Sequence, residues 1–213
     1  MSIFRKIRGE IEEVNLINEL CEHLRQIGIE ATVLDLKSPE AIHHTPTMHI
    51  MYSIHNIPPL GCVKVEGRNI DLVEVIRSFT GTRELSQIVY RYNYAVKANV
   101  GDLKDKLKAE AKQSAPAIDY KWEGGELAQL LNADSELKNM LLGLGSPNLM
   151  VIPNKKDQYV GITPIVSSTS IVISGIPVKY DMIVGRKAFP TREAFEAYDR
   201  IAQHIRSILS SQP

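Results

Sequence analysis

The chain has 213 residues, 44 % of them apolar, and 25 basic side chains balance 25 acidic ones. This fits a folded protein with room for two domains of roughly 100 residues each. It excludes intrinsic disorder and the whole-surface basic field of a dedicated nucleic-acid binder.

A helix is expected from Ile3 to Ile27. Ile7, Ile11, Val14, Ile17, Leu20, Cys21, Leu24 and Ile27 recur at three- and four-residue steps, and Gly28 serves as the stop. Ile29 to Leu36 reads as a strand, Pro39 and Pro46 mark a loop, and Thr47 to His55 alternates as a second strand. Gly61 to Glu66 makes a third. Asn69 to Phe79 fits helix or strand, and Leu72, Val73, Ile76 and Phe79 favour a helix capped by Asn69 or Asp71. Leu85 to Val100 is the clearest strand, with Ile88, Tyr90, Tyr92, Tyr94 and Val96 on one face and Val89, Arg91, Asn93, Ala95 and Lys97 on the other. A lysine-rich helix is expected from Asp102 to Ser114.

The small residues and proline of 113–117 mark a boundary between domains 1–115 and 116–213. Beyond it come a strand over Ile118–Trp122 and helices over Glu126–Leu144, interrupted near Asp134 and Ser135, which are good caps. Strands follow at Leu149–Ile152, Gln158–Val166, Ser170–Ile173 and Val178–Gly185. A last helix starts at Thr191 and carries Phe195, Tyr198, Ile201, Ala202, Ile205 and Ile208 along one face. The fold class expected is therefore α+β: two domains, each a mainly antiparallel sheet packed with helices, in helix–strands–helix order. In the first half, the order of helix, three strands, helix, long strand and helix resembles that of secretion-chaperone-type α+β folds, a likeness of element order alone.

No constellation in the chain specifies a reaction, so no catalytic residue is assigned, and no cofactor or metal is expected. His43, His44, His49 and His55 crowd one segment. However, His49 and His55 sit about 20 Å apart in extended chain, at about 3.3 Å per residue, too far to share a zinc ion. The glycines of Trp122–Gly125 lack the lysine and hydroxyl of a P-loop, and Gly143–Gly145 follow a helix where a dinucleotide site follows a strand, so both read as turns and caps. Cys21 is expected in the core. Cys62, alternating with Lys64 and Glu66, is expected to be exposed and the more reactive thiol. The tyrosine row reads as core packing, because its basic neighbours lie on the opposite face. Lys104, Lys106, Lys108 and Lys112 read as a solvated face. Ile3, Phe4 and Ile7 beside Arg5, Lys6 and Arg8 read as the start of a core helix.

No run of about 18 apolar residues is present to cross a membrane, the N-terminal residues lack a signal peptide's apolar centre, and two cysteines are too few for a disulfide framework. A soluble, cytoplasmic, non-catalytic binding protein is expected, with a protein partner or self-association. Nucleic acid and membrane insertion are not expected as partners. The alternative is a small-molecule enzyme with its site between the two domains.

Overall fold

The computed structural model describes residues 3–38, 41, 45–48, 54–57, 59–80, 87–114, 119–164 and 189–211. The chain opens with helix α1 (Ile3–Gln26), which ends at Gly28, a residue with φ +84° that most side chains avoid. Strand β1 (Ala31–Leu34) follows, then the hairpin strands β2 (Thr45–Met48) and β3 (Ile54–Ile57). The stretch 47–55 was expected to be one strand. Met48 instead pairs with Ile54 across a hairpin, so it belongs to two.

Strands β4 (Gly61–Val65), β5 (Leu72–Thr80) and β6 (Gln87–Lys97) run on as an antiparallel meander. Of the two readings open for 69–79, the favoured helix gives way to the strand β5. Leu72, Val73, Val75 and Ile76 are all buried because β5 is covered on both faces, and a doubly covered strand loses the alternation that would distinguish it from a helix. The correction removes the second helix from the order that resembled a secretion chaperone.

The lysine-rich helix is a single turn, α2 (Lys104–Leu107), and the chain then extends as β7 (Ala109–Ser114). Ala109 and Ala111 are buried and Glu110 between them is half-buried, a period of two. Alanine, lysine and glutamate favour helix locally, but pairing on both sides, with β8 (Asp119–Gly124) and with β9 (Leu149–Asn154), overrides that preference. Between β8 and β9 lie α3 (Glu126–Ala133) and α4 (Ser135–Gly143). They are divided, as expected, at Asp134, whose carboxylate accepts from Leu137 N at 2.9 Å. Strand β10 (Tyr159–Pro164) and helix α5 (Arg192–Ser210) complete the described elements, α5 being capped by Thr191 as expected. The strands expected at 170–173 and 178–185 lie outside the described residues.

One antiparallel sheet of eight strands, in the order β1-β4-β5-β6-β10-β9-β7-β8, draws on both halves of the chain. The halves meet where β6 pairs with β10, from Lys97 opposite Tyr159 to Tyr94 opposite Ile162. The division expected at 115/116 falls between the paired strands β7 and β8.

The helices cover one face. Leu16, Leu20 and Leu24 of α1 lie over Val63, Val73 and Val75, while Phe195, Tyr198, Ile201 and Ile205 of α5 lie over the centre. Tyr94 sits there with its ring 4.6 Å from Tyr198 and 6.1 Å from Phe195, and Tyr92 is equally buried, so the tyrosine row is core as expected. Each such side chain contributes roughly 1.5–3 kcal/mol by burial. The hairpin β2–β3 forms a separate two-stranded sheet, with β2 near β9 and β10.

Candidate functional site

Three features have defined geometry, two groups of polar side chains and a set of surface hollows. The first ties α5 to both halves of the chain. Asp199 accepts from the backbone N–H of Asn69 at 2.7 Å and of Ile70 at 3.0 Å. Arg206 donates from one nitrogen to both oxygens of Asp71 at 2.9 Å, and from Nε to Asn69 O at 2.9 Å. On the other side Arg200 Nε and Nη2 donate to Asp134 at 2.6 and 3.0 Å, and His204 Nε2 donates to Asp134 at 2.8 Å. Burial works against the charge of Asp134. The Arg200 hydrogen bonds, the Leu137 amide and His204 outweigh it, holding the carboxyl well below the ordinary carboxylate range. The same pairing raises the Arg200 pKa further.

The second group lies on the sheet face away from the helices. Register aligns Cys62 with Glu74 and Glu74 with Asn93. Asn93 Nδ2 donates to Glu74 Oε2, and Thr163 Oγ1 donates to Asn93 Oδ1 at 2.6 Å. Glu74 and Asn93 have no solvent exposure, and burial lowers the pKa of nearby Arg91. A Cβ on Gly161 would meet Asn93 Oδ1 at 2.9 Å, so the missing side chain leaves room for the amide. Period-two alternation alone places Glu74, Asn93 and Thr163 on one face. What hid the group from sequence reasoning was the reading of β5 as a helix.

The third feature is the set of surface hollows. A groove of about 620 Å³ between α4 and the start of α5 is lined by Asn139, Met140, Gly143, Leu144 and Thr191, with Glu193 and Glu196 on its rim. A second, of about 780 Å³, lies where the end of β6 meets α5 and includes Lys97, Asn99, Leu103, Gln203, Arg206 and Ser210.

The sequence candidates are placed as follows. His43, His44 and His49 lie outside the described residues, and His55 lies on β3. Among the described residues no group of three histidine, cysteine or acidic side chains is arranged to hold a metal. Gly124 and Gly125 are packing glycines. A Cβ on either would strike a backbone carbonyl, Lys108 O at 2.3 Å or Asp105 O at 2.0 Å, and such carbonyls would repel an anion. Gly145, with φ +87°, ends α4. Lys104, Lys106 and Lys108 are exposed as expected. Cys21 is buried as expected, and burial raises its pKa. Cys62 corrects the expectation: it is fully buried, because β4 is an inner strand and its second face is covered too. No helix among the described residues is long and apolar enough to cross a membrane.

No protein-family model matches the chain, and no curated protein and no solved structure matches it.

Proposed function

We propose that this chain is a non-catalytic, cytoplasmic protein-binding protein, and that the groove between α4 and α5 receives its partner. The observation that carries this reading is the chemistry of the groove. Met140 and Leu144 offer an apolar floor, and methionine adapts to varied side chains. Glu193 and Glu196 bring carboxylates to the groove, Glu196 already paired with Arg192 at 2.9 Å. Its volume lies within the range of about 300–1,000 Å³ usual for binding clefts. The matching partner presents an apolar side chain flanked by lysine or arginine. Both cysteines are free thiols, which agrees with a reducing compartment.

Gly143 makes the reading testable. A Cβ there meets nothing within 4 Å, so Gly143→Trp fills the groove without crowding the core. Labelled peptides with a basic–apolar–basic pattern should bind the parent saturably, and the variant at least tenfold more weakly at an unchanged melting temperature. Binding that is absent throughout the set, or unaffected by the variant, rejects the proposal.

The groove at Lys97 and Arg206 favours a second reading, a small-molecule site between the two halves. Its lining carries Lys97 and Arg206, the latter already paired with Asp71, so the ligand would be a carboxylated or phosphorylated metabolite met chiefly by Lys97. A thermal-shift hit from such compounds that Lys97→Ala abolishes would support it. Two separable domains belong to this reading. Fragments nicked between Gln113 and Ile118 that part on gel filtration support the division at 115/116, and fragments that co-elute count against it.

A further inference from the structure

Strand β8 ends the sheet among the described residues. Its Trp122 donates the backbone N–H to Asn132 Oδ1 at 2.9 Å, and its backbone C=O accepts from Asn132 Nδ2 at 2.8 Å. Both backbone groups therefore turn away from β7, the neighbour on the other side. In an antiparallel ladder a residue so oriented exchanges two hydrogen bonds with a single residue of the next strand. The side-chain amide of Asn132 has one acceptor and donors side by side, and it makes both of those bonds from α3. Asn132 stands where a further strand would begin.

The charge pattern of β8 identifies the strand that fits. Laid antiparallel on a second β8 about Trp122, the sequence Lys-Trp-Glu of 121–123 sets each Lys121 opposite a Glu123. Both residues are exposed, and opposite charges directly across a strand pair attract. In this register the two Trp122 residues exchange the two hydrogen bonds that Asn132 now makes. A two-fold contact of this kind is self-complementary.

We propose that the β8 edge is a docking surface for the β8 edge of a second copy of this chain, and that Asn132 keeps it closed. Open strand edges template pairing, and a side chain that satisfies the edge suppresses it. The inference is independent of the α4–α5 groove, since Asn132 lies on α3 and lines no part of that groove.

Sedimentation of Asn132→Ala across a concentration series tests this. The variant should associate at least tenfold more tightly than the parent, whatever the parent's own assembly state. Adding Lys121→Glu puts like charges opposite each other and should abolish the gain, and adding Glu123→Lys to that chain should restore it. A folded Asn132→Ala that sediments as the parent does overturns the proposal, and so does a gain indifferent to the charge changes. If Asn132→Ala does not fold, Asn132→Asp replaces it under the same criteria, since its carboxylate still accepts from Trp122 N–H but cannot donate to the carbonyl.

Discussion

The two faces of the eight-stranded sheet arise from the same strands by the same alternation, and they are buried by opposite means. Under the helices the centre is apolar, with the Tyr94 ring against Phe195 and Tyr198 and the buried Tyr92 ring against Phe189. The polar groups there, Asp134, Asp199 and Arg206, fasten the rim. On the other face the polar groups occupy the centre, where Glu74, Asn93 and Thr163 form a hydrogen-bonded row with no exposed member. An apolar centre tolerates changes of shape within limits. A polar centre has to keep every partner, because a buried group that loses its hydrogen bond retains its full desolvation cost.

The largest expected effect is on the helix-covered face. Tyr94→Ala removes a ring that touches both Phe195 and Tyr198 and should cost about 3–5 kcal/mol, as buried Phe→Ala changes do. Chemical denaturation measures it. A loss under about 1 kcal/mol would mean that the centre of this face collapses around the gap or is not the core.

Next comes the polar centre. Asn93→Leu removes the amide that Glu74 and Thr163 share and should cost about 1–3 kcal/mol in all. Gly161→Ala attacks the same amide sterically, by pushing a methyl to 2.9 Å from Asn93 Oδ1, and should cost about 1–3 kcal/mol. Combined, the two changes should cost less than their sum, since the leucine chain has no amide left to displace. Strict additivity in a double-mutant cycle would break the picture of one connected row.

This contrast also explains how much could be read from the residues alone. The faces of α1 and α5 and the caps Asp134 and Thr191 are readable because each helix has one wet side, and a wet side leaves a period; the tyrosine row of β6 is readable because its other face, although buried, carries the polar Arg91 and Asn93. The strand β5 is not, because it is covered on both sides, and apolar residues at 72, 73, 75 and 76 fit a helix as well as a strand. That single misassignment concealed the polar row, since Glu74 on a helix has no reason to meet Asn93. Cys62 was misplaced for the same reason: alternation with Lys64 and Glu66 reads as exposure only when one face of the strand is open. The strand β7 was lost to helix-favouring residues, and the role of Asn132 depends on a strand end that no local pattern marks.

The rim should be cheaper to break than either centre. Asp134→Asn keeps the N-cap acceptor of α4 but removes the charge that Arg200 and His204 share. It should cost about 1 kcal/mol at neutral pH, partly screened because Arg200 is a third exposed. Asp134 has its folded pKa depressed, so its stabilisation is full above the unfolded value of about 3.9 and is lost as pH falls through the folded value. Parent and variant melting curves should differ at pH 7 and converge in the acid range below about pH 4. A gap as wide at pH 2 as at pH 7 would place the effect in packing and not in charge.

The smallest effect separates the two faces most finely, because each face holds one thiol. Cys21 sits on α1, where its Sγ donates to Ala31 O at 3.4 Å beneath the helix layer. Cys62 lies on β4, opposite Glu74 in the polar row. Both are buried, so neither should label faster than the structure around it opens. Burial also raises the Cys21 pKa and leaves less thiolate to react. Labelling of each thiol under mild denaturant therefore reports the opening of its own layer. If the sheet unfolds as one unit, the two rates should rise together and follow global stability. If the polar face opens first, Cys62 should react ahead of Cys21 with a weaker dependence on denaturant, and Asn93→Leu should speed Cys62 selectively. Fast labelling of Cys62 in native buffer, without denaturant dependence, would show that its face is not closed over the polar row at all.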